Sequence, residues 1–233
     1  MKKEKHNRSL AWRIVRCFLK IFKRKPKFIF LGEGFKDQAI CLSNHVGAHG
    51  PLVLELYFPK LFRFWGIHNM NEGARARFKY LSTIYFHEKK HLPKFLAFFI
   101  SIFATPVMGI FYLGIRLLST YNDPRLVKTF HKSLEVLKKE QNIIIFPENS
   151  SDGYHDVLKE YFAGFYILAK KAYEKGMDLD IYNMYINKKK RIVVVDKPIK
   201  FSELLKLNKK KEEVAEMFKE RANELGSMNF NVK

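Results

Sequence analysis

The residue best placed to do chemistry in this chain is His45, within Cys41-Leu42-Ser43-Asn44-His45-Val46-Gly47-Ala48-His49-Gly50-Pro51. Imidazole ordinarily titrates near pH ~6.5, so a neutral histidine is a competent general base at physiological pH. An apolar run at 39–42 leads into it, and small residues and then a proline able to open a helix follow. A histidine at such a strand-to-helix junction lies at a sheet edge, where reactive groups are displayed. Far downstream comes Ile143-Ile144-Ile145-Phe146-Pro147-Glu148-Asn149-Ser150-Ser151-Asp152. It reads as a strand broken by proline into a loop carrying carboxylates at Glu148 and Asp152 and hydroxyls at Ser150 and Ser151. We expect this loop to face His45 and to bind substrate.

The elements that must hold these stretches follow from periodicity. In residues 8–24, Leu10, Ile14, Val15, Phe18, Ile21 and Phe22 share one helical face, and Arg13, Arg16, Lys20, Lys23 and Arg24 the other. With Trp12 near its start, this basic amphipathic segment reads as an interfacial membrane helix. Strands are expected at 28–31, 39–43, 113–119, 142–146, 179–186 and 191–195. Helices are expected at 51–57, 73–81, 93–104, 124–139, 157–175 and 202–225, with 58–71 irregular. Residues 95–115 are uncharged and approach spanning length. Thr105-Pro106, Gly109 and Gly114 punctuate them, so we expect a membrane-dipping or core helix followed by a second element. Strands alternating with helices indicate an α/β fold. It divides into the amphipathic helix, 1–27, and an α/β domain, 28–233.

At 233 residues the chain suits one such domain with a sizeable core, and 22 phenylalanines exclude disorder. A net charge of +20 calls for an anionic partner. An anionic membrane surface fits best, because no nucleic-acid recognition motif is present. Cys17 and Cys41 give no disulfide framework and suit a reducing compartment. Residues 1–24 lack the uninterrupted apolar run and cleavage site of a signal peptide. The spacings His45-x-x-x-His49 and His87-x-x-x-His91 could ligate a metal. No His-His pair accompanies them, and lysines that look solvated lie between His87 and His91, so no metal is expected.

Taken together, Asn-His, then Phe-Pro-Glu, then Val-Val-Asp-Lys-Pro-Ile resemble the PlsC-like glycerolipid acyltransferase family over residues 35–200. The family's N-H-x-x-x-x-D-P block is matched at Asn44, His45 and Pro51, its F-P-E-G-T-R block at Phe146, Pro147, Glu148 and Ser150, and its closing block at Pro198 and Ile199. The resemblance implies a mixed sheet flanked by helices, at the cytoplasmic face of the cell membrane. It implies acyl transfer from acyl-CoA or acyl-carrier protein to a hydroxyl of a lysophospholipid, with His45 as base and no cofactor. Glu148 and His49 are the expected catalytic partners. Asn44, Gly47, Pro51, Pro147, Asn149, Ser150, Ser151 and Asp152 are the expected substrate contacts. Gly50 stands where the family has the aspartate that orients the histidine, and Ser151 where it has a phosphate-binding arginine. For the first role His49, Glu55, Glu148 and Asp152 are candidates. For the second, Arg75, Arg77 and residues 188–191 are.

Overall fold

A computed structural model describes residues 8–149 and 153–230. Its frame is an eight-stranded mixed sheet in the order β1-β7-β6-β2-β5-β3-β4, with β8 paired to β6. The strands are β1 (Lys27–Phe30), β2 (Ile40–Ser43), β3 (Phe62–Ile67), β4 (Leu118–Thr120), β5 (Asn142–Ile145), β6 (Asp180–Asn187), β7 (Ile192–Val195) and β8 (Ile199–Lys200). The helices are α1 (Leu10–Phe22), α2 (His49–Tyr57), α3 (Ala74–Lys79), α4 (Lys94–Ile115), α5 (Leu126–Lys138), α6 (Gly164–Tyr173), α7 (Phe201–Lys206) and α8 (Lys211–Ser227). A π-helical segment, Tyr80–Lys89, links α3 to α4.

Strand β2 is the centre of the sheet, parallel to β5 on one side and to β6 on the other. All its residues are buried, as expected for a strand covered on both faces. Their alternation divides the core. Ile40 and Leu42 face a layer made by α5, α6, α7 and α8 through Phe130, Phe165, Phe201 and Phe218. Ala39 and Cys41 face a second layer made by α1, α2 and α4 through Trp12, Leu54 and Ile115. Because β2 and β5 run parallel in register, with Leu42 opposite Ile145, the loops after both strands emerge at the same edge. His45 and Glu148 meet there for that reason.

Several elements differ from the sequence reading. The stretch expected to be irregular contains β3, whose alternating Phe62 and Phe64 are buried in the same core cluster as Phe58 and Ile144. Helix α4 runs unbroken through Pro106 and both glycines, so residues 113–115 are helix and β4 starts at Leu118. The glycines mark close approaches rather than breaks. A Cβ at Gly109 would come within 2.5 Å of Arg77 Nη1, and one at Gly114 within 2.2 Å of the Trp12 ring. Residues 157–163 are not helical. Their backbone is taken by Pro147–Asn149 instead: Phe162 N–H donates to Pro147 O at 2.8 Å and Asn149 N–H to Glu160 O at 3.1 Å. The expected helix 202–225 divides into α7 and α8 at Asn208, whose φ of 50° is left-handed.

Candidate active site

The loop after β2 is tightly wound. Val46 and Gly47 are consecutive left-handed residues, at φ 48° and 62°. A β-branched residue there is strained, at a cost of order ~1–3 kcal/mol, and such strain gathers at functional sites. The winding turns the Gly47 carbonyl back onto the imidazole, 2.6 Å from His45 Nδ1. A carbonyl can only accept, so Nδ1 carries the proton and Nε2 holds the free lone pair. A backbone carbonyl therefore orients His45.

Among the described residues, the expected orienting groups Glu148, Glu55 and His49 lie as follows. Glu148 Oε1 accepts from the backbone N–H of His45 at 2.7 Å, pinning the loop rather than the imidazole. Glu55 is fully buried elsewhere. Its carboxylate takes Arg8 Nη2 at 2.7 Å, Trp12 Nε1 at 2.9 Å and Arg16 Nε at 3.5 Å, and so anchors α1. His49 is the first residue of α2, so His45 lies outside that helix and shares no helical face with it. Gly50 leaves no room for a side chain: a Cβ there would meet the His45 carbonyl oxygen at 2.2 Å and Ile186 Cδ1 at 3.3 Å.

The remaining expected contacts divide. Asn44 is buried, and its amide exchanges hydrogen bonds with the Ile186 backbone, donating at 3.1 Å and accepting at 2.7 Å. It straps β2 to β6 beneath the site. Asn149 donates to Glu160 Oε2 at 2.7 Å, and Pro147 is buried in the same pairing. Gly47 lies against the Tyr154 ring, 3.8 Å from the place its Cβ would occupy. Pro51 lines the cavity described below. Ser150, Ser151 and Asp152 lie outside the described residues.

The His45 ring is enclosed by aromatics: Phe146 at 4.7 Å and Tyr154, stacked, at 5.0 Å between centroids. Burial holds the imidazole down to about 4; the Gly47 carbonyl opposes this and the charge of Lys89 adds to it. His45 is thus neutral at physiological pH. Burial likewise pushes the Glu148 carboxyl up to about 7, against the His45 N–H and Lys89, which both lower it. His49 is also pushed down, by burial and then by Lys188 and Lys23.

Beside His45 opens a cavity of about 370 Å³ between α1, α2, α4, β3 and the π-helical segment. Its walls include Trp12, Leu52, Phe64, Tyr85, Val107 and Phe111. Such a volume falls within the ~300–1,000 Å³ of ligand pockets, and the lining suits hydrocarbon. Tyr154, Lys89 and Lys90 were not foreseen at the site. The signal was there: an aromatic directly after the polar loop, and adjacent lysines within His87-Glu88-Lys89-Lys90-His91 that read as solvated. Lys89 is instead half-buried. Among the described residues no group of His, Cys, Asp and Glu is arranged to hold a metal. No protein-family model and no curated protein matches the chain.

Proposed function

We propose that this protein is an acyltransferase that moves a fatty acyl group from acyl-CoA or acyl-carrier protein to a hydroxyl of a lysophospholipid or related glycerolipid. The carrying observation is a single juxtaposition. An imidazole with its tautomer fixed by the Gly47 carbonyl borders an apolar cavity of about 370 Å³. Nε2 takes the proton of the acceptor hydroxyl as its oxygen attacks the thioester carbonyl. The tetrahedral intermediate collapses with cleavage of the C–S bond, and the imidazolium returns the proton to the departing thiolate. The apolar cavity receives an acyl chain. Glu148 keeps the loop, and hence the ring, in place.

The neutral Gly47 carbonyl fixes orientation as a carboxylate would, but supplies no charge to the imidazolium. Slow turnover follows from this reading. Membrane attachment fits the outer surface: α1 exposes Leu10, Ile14, Phe18, Ile21 and Phe22, and α4 exposes Phe95, Phe99, Phe103, Val107 and Leu113. Helix α4 is long and apolar enough to cross a bilayer. Its contacts with Trp12 and Arg77 favour a peripheral, membrane-dipping arrangement on the cytoplasmic face, which the free thiols Cys17 and Cys41 also suit. Membranes bearing the protein, given labelled acyl-CoA or acyl-carrier protein and a panel of lysophospholipids, should form diacyl product. Loss of product in His45→Ala is expected, and product that survives the substitution overturns the mechanism.

The seating of Gly50 on the His45 carbonyl favours a second reading, a lipid-binding protein with little turnover. In that case lipid binds while wild type and His45→Ala transfer equally little.

A further inference from the structure

Arg75, Arg77 and residues 188–191, the candidates for phosphate binding, do not line the cavity beside His45. Arg77 donates instead from Nη2 to Met70 O at 2.7 Å. Among the described residues that form the cavity walls there is no Asp, Glu, Lys or Arg, so what it recognises is hydrocarbon. Two of those residues mark where it opens. Val107 and Ile110 on α4 border the cavity and are also 63% and 60% exposed, so each side chain meets both the cavity and the outside. Their neighbours Met108 and Phe111 line the cavity half-buried. On a helix, Phe99, Phe103, Val107 and Ile110 fall on one stripe, and all four are exposed. The rim of the cavity therefore belongs to the apolar surface of α4. Helix α1 meets α4 through the Trp12 and Phe111 rings, 5.6 Å apart; it adds Val15 and Leu19 to the cavity and exposes Ile14 and Phe18.

A cavity closed at its far end limits the length of chain it can hold, because overfilling forces packed walls apart. A cavity whose rim lies on an apolar surface sets no such limit: a chain fills it, and the tail continues into hydrocarbon beyond. The volume here, about 370 Å³, is at the small end of ligand pockets, which makes that way out matter for long chains. Resting on the acyltransferase reading, we infer that the acyl chain of a lipid substrate passes out over the rim at Val107 and Ile110, its distal end in the bilayer, and that the protein sets no upper limit on chain length. Val107 and Ile110 are then the specificity-determining residues. Bulk added at these two positions closes the exit and creates the limit.

Trp12 and Trp65 both line the cavity and are the two tryptophans of the chain, so intrinsic fluorescence reports its occupation. Wild type, Val107→Phe/Ile110→Phe and Leu113→Phe are titrated with decanoyl, myristoyl and stearoyl lysophosphatidates and with the matching acyl-CoAs, below their micelle concentrations. In wild type, affinity should rise by up to about fourfold per methylene from decanoyl to myristoyl and should not fall from myristoyl to stearoyl. The phenylalanine pair should weaken stearoyl binding about tenfold or more, the order of overpacking a filled core, and leave decanoyl binding within about twofold. Unchanged decanoyl binding also shows that the cavity is intact. Leu113→Phe adds bulk to exposed α4 outside the cavity lining and should match wild type. A response in one series alone sustains the exit and assigns the chain to the acceptor or the donor. Wild-type affinity that falls at stearoyl in both series overturns the exit. So does a phenylalanine pair that binds stearoyl as wild type does or loses decanoyl and stearoyl alike, and so does a like loss in Leu113→Phe. A wild type that binds none of these lipids also overturns it. Transfer assayed in parallel separates the two proposals. Absent turnover with the length response intact sinks the catalytic reading alone, whereas turnover without that response sinks the exit alone.

Discussion

The Gly47 carbonyl oxygen lies 2.6 Å from His45 Nδ1 and sets both the plane and the protonation pattern of the ring. The expected consequence is a neutral imidazole held as the Nδ1–H tautomer. In ¹⁵N NMR, Nδ1 should resonate as a protonated nitrogen and Nε2 as an unprotonated one between about pH 5 and 8. The reverse assignment would contradict the orienting role of Gly47. Gly47→Ala should cost about 1 kcal/mol, because φ is 62° while the Tyr154 ring leaves ordinary contact distance. A denaturation curve measures that loss.

Introducing an aspartate at Gly50 should fail. In Gly50→Asp the new Cβ meets the His45 carbonyl at 2.2 Å, and backbone, not a flexible side chain, must move. Overpacking of this kind costs about 1–3 kcal/mol or more. We expect a lower melting temperature and no gain in transfer. A variant that is as stable as wild type and more active would show that the loop readily adopts another path.

The two perturbed groups pull stability in opposite directions with pH. His45 resists protonation down to about 4, against 6.5 when unfolded, so its contribution is present above pH 6.5 and is lost as pH falls toward 4. Glu148 keeps its proton up to about 7, against 4.5 when unfolded, so its contribution is present below pH 4.5 and is lost as pH rises through 7. Between these limits the slopes nearly cancel in wild type. Glu148→Gln, which keeps an acceptor for the His45 N–H, should expose the His45 slope: relative to wild type it gains stability by up to about 3 kcal/mol from pH 4.5 to 7. His45→Gln should lose a similar amount relative to wild type between pH 4 and 6.5. Urea unfolding at stepped pH measures both, and parallel curves for wild type and variants would refute the assigned shifts.

Much of this site was legible because its parts are local in sequence. The strand signals at 39–43 and 142–146 were strong, and two adjacent parallel strands necessarily bring the residues after them to one edge. What could not be read was the route of the backbone between them. Nothing in Val46-Gly47 announces consecutive left-handed residues, and so a carbonyl took the role sought among side-chain acids. Lys89 and Tyr154 were missed for a related reason: contacts between the π-helical segment and the loop after β5 are set by tertiary packing. Helix α4 shows the opposite failure. Pro106, Gly109 and Gly114 are local breakers, yet Arg77 and Trp12 pack into the glycine gaps and the helix continues.

The same packing changes how membrane attachment should be tested. Deleting residues 1–24 would remove Trp12, which is buried, lines the cavity and fills the gap at Gly114. It would also leave the buried Glu55 carboxylate without Arg8 and Arg16, a kind of loss that costs about 3–5 kcal/mol. A truncated protein that leaves the membrane could therefore simply have unfolded. Phe18 on α1 and Phe103 on α4 are exposed, at 63% and 75%, and their replacement disturbs no core. Phe18→Asp/Phe103→Asp should fall off anionic liposomes in a flotation assay while melting within a few degrees of wild type. If binding rests on the apolar face, high salt should weaken it only in part; if on basic residues alone, salt should abolish it and the double variant should bind as wild type does. That second pattern would reject the apolar face of α1 and α4 as the membrane contact.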